Sequence, residues 1–327
     1  MSLTEIYPGW SERWWHTLGS DAHCQVYCDP DQEDLDAESL VELAIQQAEL
    51  LEQSWSRFRP SSELVQLNEN PADQIQLSRP LAGALHRAVI AWEQTDGWFD
   101  PTVIDSLEAA GYANSFPSSL VGADNTPRGD LSHCSPSLGL SEVTVDLETS
   151  TVTRPPGLRF DLGGIGKGLA ADMLVVHLLE GGASSVCIGL GGDIRVGGEV
   201  PVGGWKIPVE SSLTDFGSDQ DEQWFEAELL DGAIVSSSTQ FRNWNTLSGE
   251  RAHHLIDPRT GRPSTSSIST VVVCAAEAWW AEVLAKAALL AGAVQGKELL
   301  QKHGVRSWMI NDSGALEDAT LSQAPNS

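Results

Sequence analysis

The spacing of apolar and polar positions along this chain predicts its elements almost from end to end. Alternation from His23 to Cys28 predicts a first strand within residues 10–28, a region that also holds Trp14 and Trp15. Residues 34–55 follow a helical period, with Leu40, Leu43, Ala44, Leu50 and Leu51 on one face. A second helix covers residues 79–94 on Leu81, Leu85, Val89 and Trp92, opened by Ser78 and Pro80. Between the two, Pro60 breaks the chain, and Ser61 or Ser62 is an N-cap for a helical turn from Glu63. Residues 143–152 alternate as a strand, and 194–196, 205–209 and 225–235 read as strands further on. The β-branched run 268–273 predicts a buried strand, 275–291 a helix and 307–310 a last strand. Residues 111–141, rich in Ser, Pro, Gly and Asn, predict an irregular surface insertion. An acidic, exposed connection is expected at 211–224, and a loose tail at 318–327.

The pattern changes in residues 160–193. Gly163, Gly164, Gly166 and Gly168 crowd six positions around Lys167, starting two residues after Asp161. A helical pattern and a short strand follow, and a second glycine turn, Gly191-Gly192, ends on Asp193. Glycines at this density let bare backbone N–H groups approach a ligand, and a helix starting there adds its positive end. Such a loop suits a phosphate or pyrophosphate beside Lys167; it equally makes a tight strand-to-helix turn with a solvated lysine. It is not a Walker loop, because Gly168 follows Lys167 where Ser or Thr is required. The G-x-G-x-x-G dinucleotide fingerprint fails as well, because Leu169 stands where its third glycine belongs.

Charge narrows the class of partner. The 327 residues carry a net charge of −27, with 19 Lys and Arg against 46 Asp and Glu. That balance argues against nucleic acid and anionic membranes, and any anionic ligand must be held by local cations against the overall field. The N-terminal stretch shows neither a cationic and apolar signal pattern nor a lipidation cysteine, so a cytoplasmic protein without a membrane anchor is expected. Five cysteines without regular spacing suggest no disulfide framework, and His23, Cys24 and Cys28 lack the second half of a metal site.

Several other segments could carry chemistry. Arg57 and Arg59 are either solvated surface or a polar wall for a ligand. Phe99-Asp100-Pro101-Thr102 is a rigid turn that presents a carboxylate and a hydroxyl. Ser236, Ser237 and Ser238, followed by Arg242, bind a phosphate or cap a turn. His254, near Asp257, is a general base or ligand orienter, or a histidine satisfied by turn backbone. Glu282 and Lys286 stand four apart on the last helix and share a face.

Taken in order, SRFRPSSELVQLN, TDGWFDPTV, FDLGGIGKGLAADM, GLGGDIRVGG, the serine run, HHLIDPRTGRP and the Ala-rich last helix resemble the ApbE family, the FAD:protein FMN transferases. The resemblance runs from about Trp55 to about Gly292. It implies an α+β fold of the T-fold type, a single domain over 1–327 with two intertwined subdomains and an FAD crevice between them. Family members split FAD at the pyrophosphate, pass FMN to a threonine of a flavoprotein and release AMP, usually with magnesium.

Carried over by motif, Ser62, Glu63, Asp100, Pro101 and Thr102 would line the flavin and adenosine parts of the crevice. Gly164, Lys167, Gly191, Gly192 and Asp193 would surround the pyrophosphate, with Ser236, Ser237, Ser238 and Arg242 near it. His254 beside Asp257 would activate the incoming hydroxyl. The magnesium would lie at Gly164 and the last helix, whose usual aspartate and threonine are here Glu282 and Lys286, so that Lys286 is expected to stand in the ion's place. The alternatives to transfer are an FAD-binding protein without catalysis and an FAD pyrophosphatase releasing FMN and AMP.

Overall fold

The strand Ile268–Ala275 is apolar at consecutive positions from Val271 because both of its faces are covered. Val271 and Val273 point to one side of the sheet, with Val186, Ile188 and Val235. Val272 points to the other, with Val196, Ile234, Trp308 and Ile310. In this computed structural model, which describes residues 8–31, 36–115, 127–200, 204–210 and 223–320, that strand sits inside an eight-stranded sheet. The strands are β1 (Trp10–Thr17), β2 (Ser20–Tyr27), β3 (Ser185–Leu190), β4 (Asp193–Gly198), β5 (Gly232–Ser238), β6 (Ile268–Ala275), β7 (Arg306–Asn311) and β8 (Leu316–Asp318). They lie side by side in chain order, and each neighbouring pair is antiparallel.

Six helices accompany the sheet among the described residues: α1 (Ala37–Trp55), α2 (Glu63–Glu69), α3 (Arg79–Gln94), α4 (Ile104–Ala109), α5 (Gly166–Glu180) and α6 (Ala278–Lys302). Helices α1, α5 and α6 cover one face through Val41, Ala44, Leu174, Leu178, Leu284 and Ala288. On the other face, the paired strands Trp205–Glu210 and Gln223–Leu229 contribute Trp205, Ile207, Ala227 and Leu229. A third apolar cluster joins Leu107, Tyr112 and Leu131 to Trp244, Ala252 and Ile256. Among the described residues no helix is long and apolar enough to cross a membrane.

Helix α3 spans the residues its caps predict, with the Ser78 hydroxyl accepting from Leu81 N–H and Pro80 in the first turn. Elsewhere the structure redraws boundaries. Residues 10–28 form a hairpin rather than one strand, turning at Leu18 and Gly19, both at positive φ (51° and 67°). Residues 143–152 also split, into Thr144–Asp146 and Thr151–Thr153, and Gln74–Gln76 pairs beside them. The expected strand 225–235 belongs to two sheets, broken at Leu230 and Asp231. Helix α6 starts at Ala278 and continues to Lys302 across a kink at Gly292, where φ is 79°. The end of the chain is not loose as far as 320, because Leu316–Asp318 pairs with β7. Residues 116–126, 211–222 and 321–327 lie outside the described residues. The flanks of the expected surface insertion bury Tyr112, Leu131 and Leu140, so that stretch is partly core.

Candidate active site

The glycine loop enters α5 held at several points. Phe160 exchanges two hydrogen bonds of 2.8 Å with the Asn68 side chain, and Asp161 N–H donates to the Pro101 carbonyl at 2.7 Å. Gly168 then lets α5 pass the start of α6, since a Cβ there would stand 2.5 Å from the Ala278 carbonyl carbon. Asp172, one turn further along α5, accepts hydrogen bonds of 2.9 Å from Ala278 N–H and Trp279 N–H, which caps α6 from outside. In return, Glu282 of α6 accepts from Gly168 N–H at 2.8 Å and so caps α5. The two helix starts secure each other.

Charged groups alternate across this junction. Lys167 donates to Asp193 and lies 3.3 Å from Glu282. Asp193 also accepts from Ser236 N–H at 3.2 Å, which ties the start of β4 to β5. The turn that delivers Asp193 needs glycine, because Gly191 and Gly192 both sit in the left-handed region, at φ 62° and 91°. Burial alone would depress the Lys167 ammonium, but Asp193 and Glu282 outweigh it and hold its pKa above the ordinary lysine value. Burial pushes the Asp193 carboxyl up, against the opposing pull of Lys167.

A cavity of about 140 Å³ opens over this junction, walled by Gly163, Lys167 and Gly191, the serines 236–238 with Phe241 and Arg242, His254 and Leu255, and Glu282 and Lys286. Three of these groups are cations, Lys167, Arg242 and Lys286, against one carboxylate, Glu282. His254 has its Nδ1 buried without a hydrogen bond among the described residues. Burial, then the nearby Arg242 and Lys286, hold its pKa well below the usual imidazole value, so the ring is neutral at pH 7. Behind it, Tyr112 meets the imidazole edge to face at 6.3 Å and accepts from Arg242 at 3.2 Å. Arg57 stacks over Tyr112 and Phe58 and stands 3.5 Å from Asp161. A cationic pocket at a helix start with a neutral imidazole on its wall can bind a diphosphate and deprotonate a hydroxyl.

The comparisons with known proteins agree with one another. The ApbE family profile matches residues 18–309. The chain belongs to the ApbE family. It is 27% identical over 278 residues to the FAD:protein FMN transferase of Vibrio cholerae, across 83% of this chain and 79% of that one. To the Haemophilus influenzae protein of the same name it is 26% identical over 262 residues, 78% and 73% of the two chains. Among solved structures, the flavin transferase ApbE from Vibrio cholerae superposes with a TM-score of 0.77 at 22% identity, covering 94% and 96% of the two chains. The ApbE protein from Thermotoga maritima gives 0.78 at 22% identity, with the same coverage. The fold is the α+β fold of ApbE proteins.

Not every residue assigned by the ApbE resemblance reaches the cavity wall. Ser62 is buried as the N-cap of α2, donating to the Ser56 carbonyl at 2.6 Å and accepting from Val65 N–H at 3.1 Å. Glu63 accepts from Ser54 and from both Ser78 donors, so it binds helix starts together and stands outside the cavity wall. Asp100 accepts from Thr102 N–H and hydroxyl at 2.7 and 2.6 Å and from Ser137, a closed turn whose Pro101 carbonyl positions Asp161. Asp257 does not orient His254. It accepts from Arg259, whose guanidinium in turn covers the Trp98 ring. Gly192 and Asp193 act from behind the wall, through the turn and through Lys167. Phe241 and Leu255 complete the wall, and no periodicity in their segments marks them. Tyr112 hides in a polar stretch whose composition reads as surface.

The residues at the expected magnesium position do not fit the ion. Glu282 has one oxygen on Gly168 N–H and the other toward Lys167, and Gly164 is faced by the end of Lys286. Among the described residues no three or more His, Cys, Asp or Glu side chains gather as a metal site. An ammonium cannot ligate a cation.

Proposed function

We propose that this chain is an FAD:protein FMN transferase that moves the FMN part of FAD to a threonine hydroxyl of an acceptor flavoprotein and releases AMP. The observation that carries the reading is the pairing, on one cavity, of a neutral His254 with the cations Lys167, Arg242 and Lys286. A threonine hydroxyl is a weak nucleophile until a base removes its proton, and diphosphate cleavage needs positive charge where the leaving phosphate gains it. In a chain of net charge −27, that charge has to be local.

In this reading the diphosphate of FAD lies over the start of α5, against Lys167, Arg242 and the serines of β5. His254 takes the proton of the incoming threonine hydroxyl. Its oxygen bonds to the phosphorus on the flavin side, and the bond from that phosphorus to the bridging oxygen breaks. AMP leaves with the bridging oxygen, and its new charge faces the cationic wall. Lys167, fixed by Asp193 and Glu282, stays protonated throughout and needs no rearrangement. The test is incubation of the protein with FAD and a threonine-containing acceptor peptide, read by mass spectrometry. An FMN adduct on the peptide is the expected product. Free FMN with AMP would make the protein a pyrophosphatase, and intact bound FAD a flavin-binding protein.

A further inference from the structure

Of the two lysines on the cavity wall, Lys286 has no partner among the described residues. Lys167, four residues into the glycine loop, is paired to Asp193 and Glu282. The Lys286 ammonium, among the described residues, takes no hydrogen bond and has no carboxylate within ion-pair distance. Its side chain runs over the glycine loop so closely that a Cβ on Gly164 would stand 2.6 Å from Cε and 2.9 Å from Cδ. Gly164 has no positive φ, so the reason for glycine there is this close passage rather than backbone conformation. The lysine tip thus occupies the space between loop and α6 and opens into the cavity.

The carboxylates nearby have other partners. Asp161 accepts from Gly163 N–H at 3.1 Å and faces Arg57 at 3.5 Å, and Glu282 caps α5 and faces Lys167. Burial lowers the Lys286 pKa, while Asp161 and then Glu282 oppose that fall. Among the described residues no carboxylate fully offsets the cost of half-burying this ammonium, and an anion with several acceptor oxygens would offset it.

We propose that Lys286 supplies the positive charge that meets the diphosphate of FAD in the place of a divalent ion, so that this chain binds FAD without metal. The proposal rests on the reading of the cavity as the FAD site. One fixed ammonium carries half the charge of a divalent ion, but it arrives with the fold and cannot be stripped by a chelator.

The experiment measures FAD affinity of the full chain by flavin fluorescence, in excess EDTA and in millimolar MgCl₂, with riboflavin as the phosphate-free control. Wild-type affinity for FAD is expected to agree within about twofold between the two buffers. Lys286→Met is expected to weaken FAD about 10- to 100-fold, the worth of one hydrogen bond to a charged group, and to leave riboflavin within about twofold. An equal loss for FAD and riboflavin would show a structural lysine and overturn the proposal. So would wild-type FAD affinity that rises about tenfold or more with magnesium, or saturable Mg²⁺ binding to the FAD complex in calorimetry; either would leave the FAD site itself standing. Wild-type protein that binds FAD in neither buffer overturns both readings. Should Lys286→Met fail to fold, the wild-type comparison of the two buffers decides alone.

Discussion

Two glycines four residues apart in the same loop should respond very differently to alanine. At Gly168 the added Cβ meets backbone, 2.5 Å from the Ala278 carbonyl carbon and 2.6 Å from Trp279 N. Backbone cannot rotate away, so α5 and α6 must separate by several tenths of an ångström. That separation stretches the bonds of Asp172 to Ala278 and Trp279 N–H and of Glu282 to Gly168 N–H, all now between 2.8 and 2.9 Å. Hydrogen bonds to charged groups contribute about 1.5–3 kcal/mol each, so partial loss of three costs about 2–4 kcal/mol. Alanine returns about 1 kcal/mol of helix propensity, which does not close the gap. At Gly164 the same methyl meets only the flexible end of Lys286, at a backbone conformation any residue can adopt. The lysine can swing into the cavity, so the fold loses little while the pocket loses its geometry. Thermal melts followed by circular dichroism should therefore show Gly168→Ala lowered by on the order of 5 °C and Gly164→Ala near wild type. FAD titration should show the reverse emphasis, with Gly164→Ala the weaker binder among folded samples. A Gly168→Ala protein that melts with wild type, or a Gly164→Ala protein that falls as far as Gly168→Ala, would refute this account of the two contacts.

His254→Ala should keep FAD affinity within a few-fold while peptide flavinylation falls by about 10²–10⁴, the range for a lost general base; equal losses in binding and rate would assign the ring to ligand contact instead. Asp257→Asn, because its carboxylate serves Arg259, should leave flavinylation within about threefold of wild type in the same assay, and a large loss would restore the His254–Asp257 pairing. Stability should fall with acid. Burial lowers the pKa of both His253 and His254, and His253 is held neutral between Leu255 N–H and the Ser264 carbonyl. Unfolded histidines bind protons below about pH 6.5 and these do not, so stability is full above that pH and drops below it by up to about 1.4 kcal/mol per pH unit per histidine. Urea melts at pH 7 and 5.5 check this, and His253→Asn should flatten the slope; an unchanged slope would place the acid sensitivity elsewhere.

The parts of this protein that its sequence determines are those whose causes are local. Ser78 and Pro80 start α3 where they stand, because a cap and a fixed φ act within one turn. The glycine-rich stretches around Lys167 and at Gly191-Gly192 announce close packing or left-handed backbone; Gly164 and Gly168 answer for the first and Gly191 and Gly192 for the second. The order of these motifs along the chain was enough to indicate the ApbE family. What the structure decided was which groups those elements meet. Strand β1 carries Glu12 and Arg13 among its tryptophans, and at the sheet edge only pairing with β2 makes it a strand. Glu63 and Asp100 stand in motifs that read as ligand contacts, yet both are satisfied by neighbouring hydroxyls and N–H groups that folding brings to them. Helical spacing put Glu282 and Lys286 on one face of α6. It could not say that the first would cap α5 and the second lie across Gly164, because period sets which side chains share a face and packing sets what that face touches.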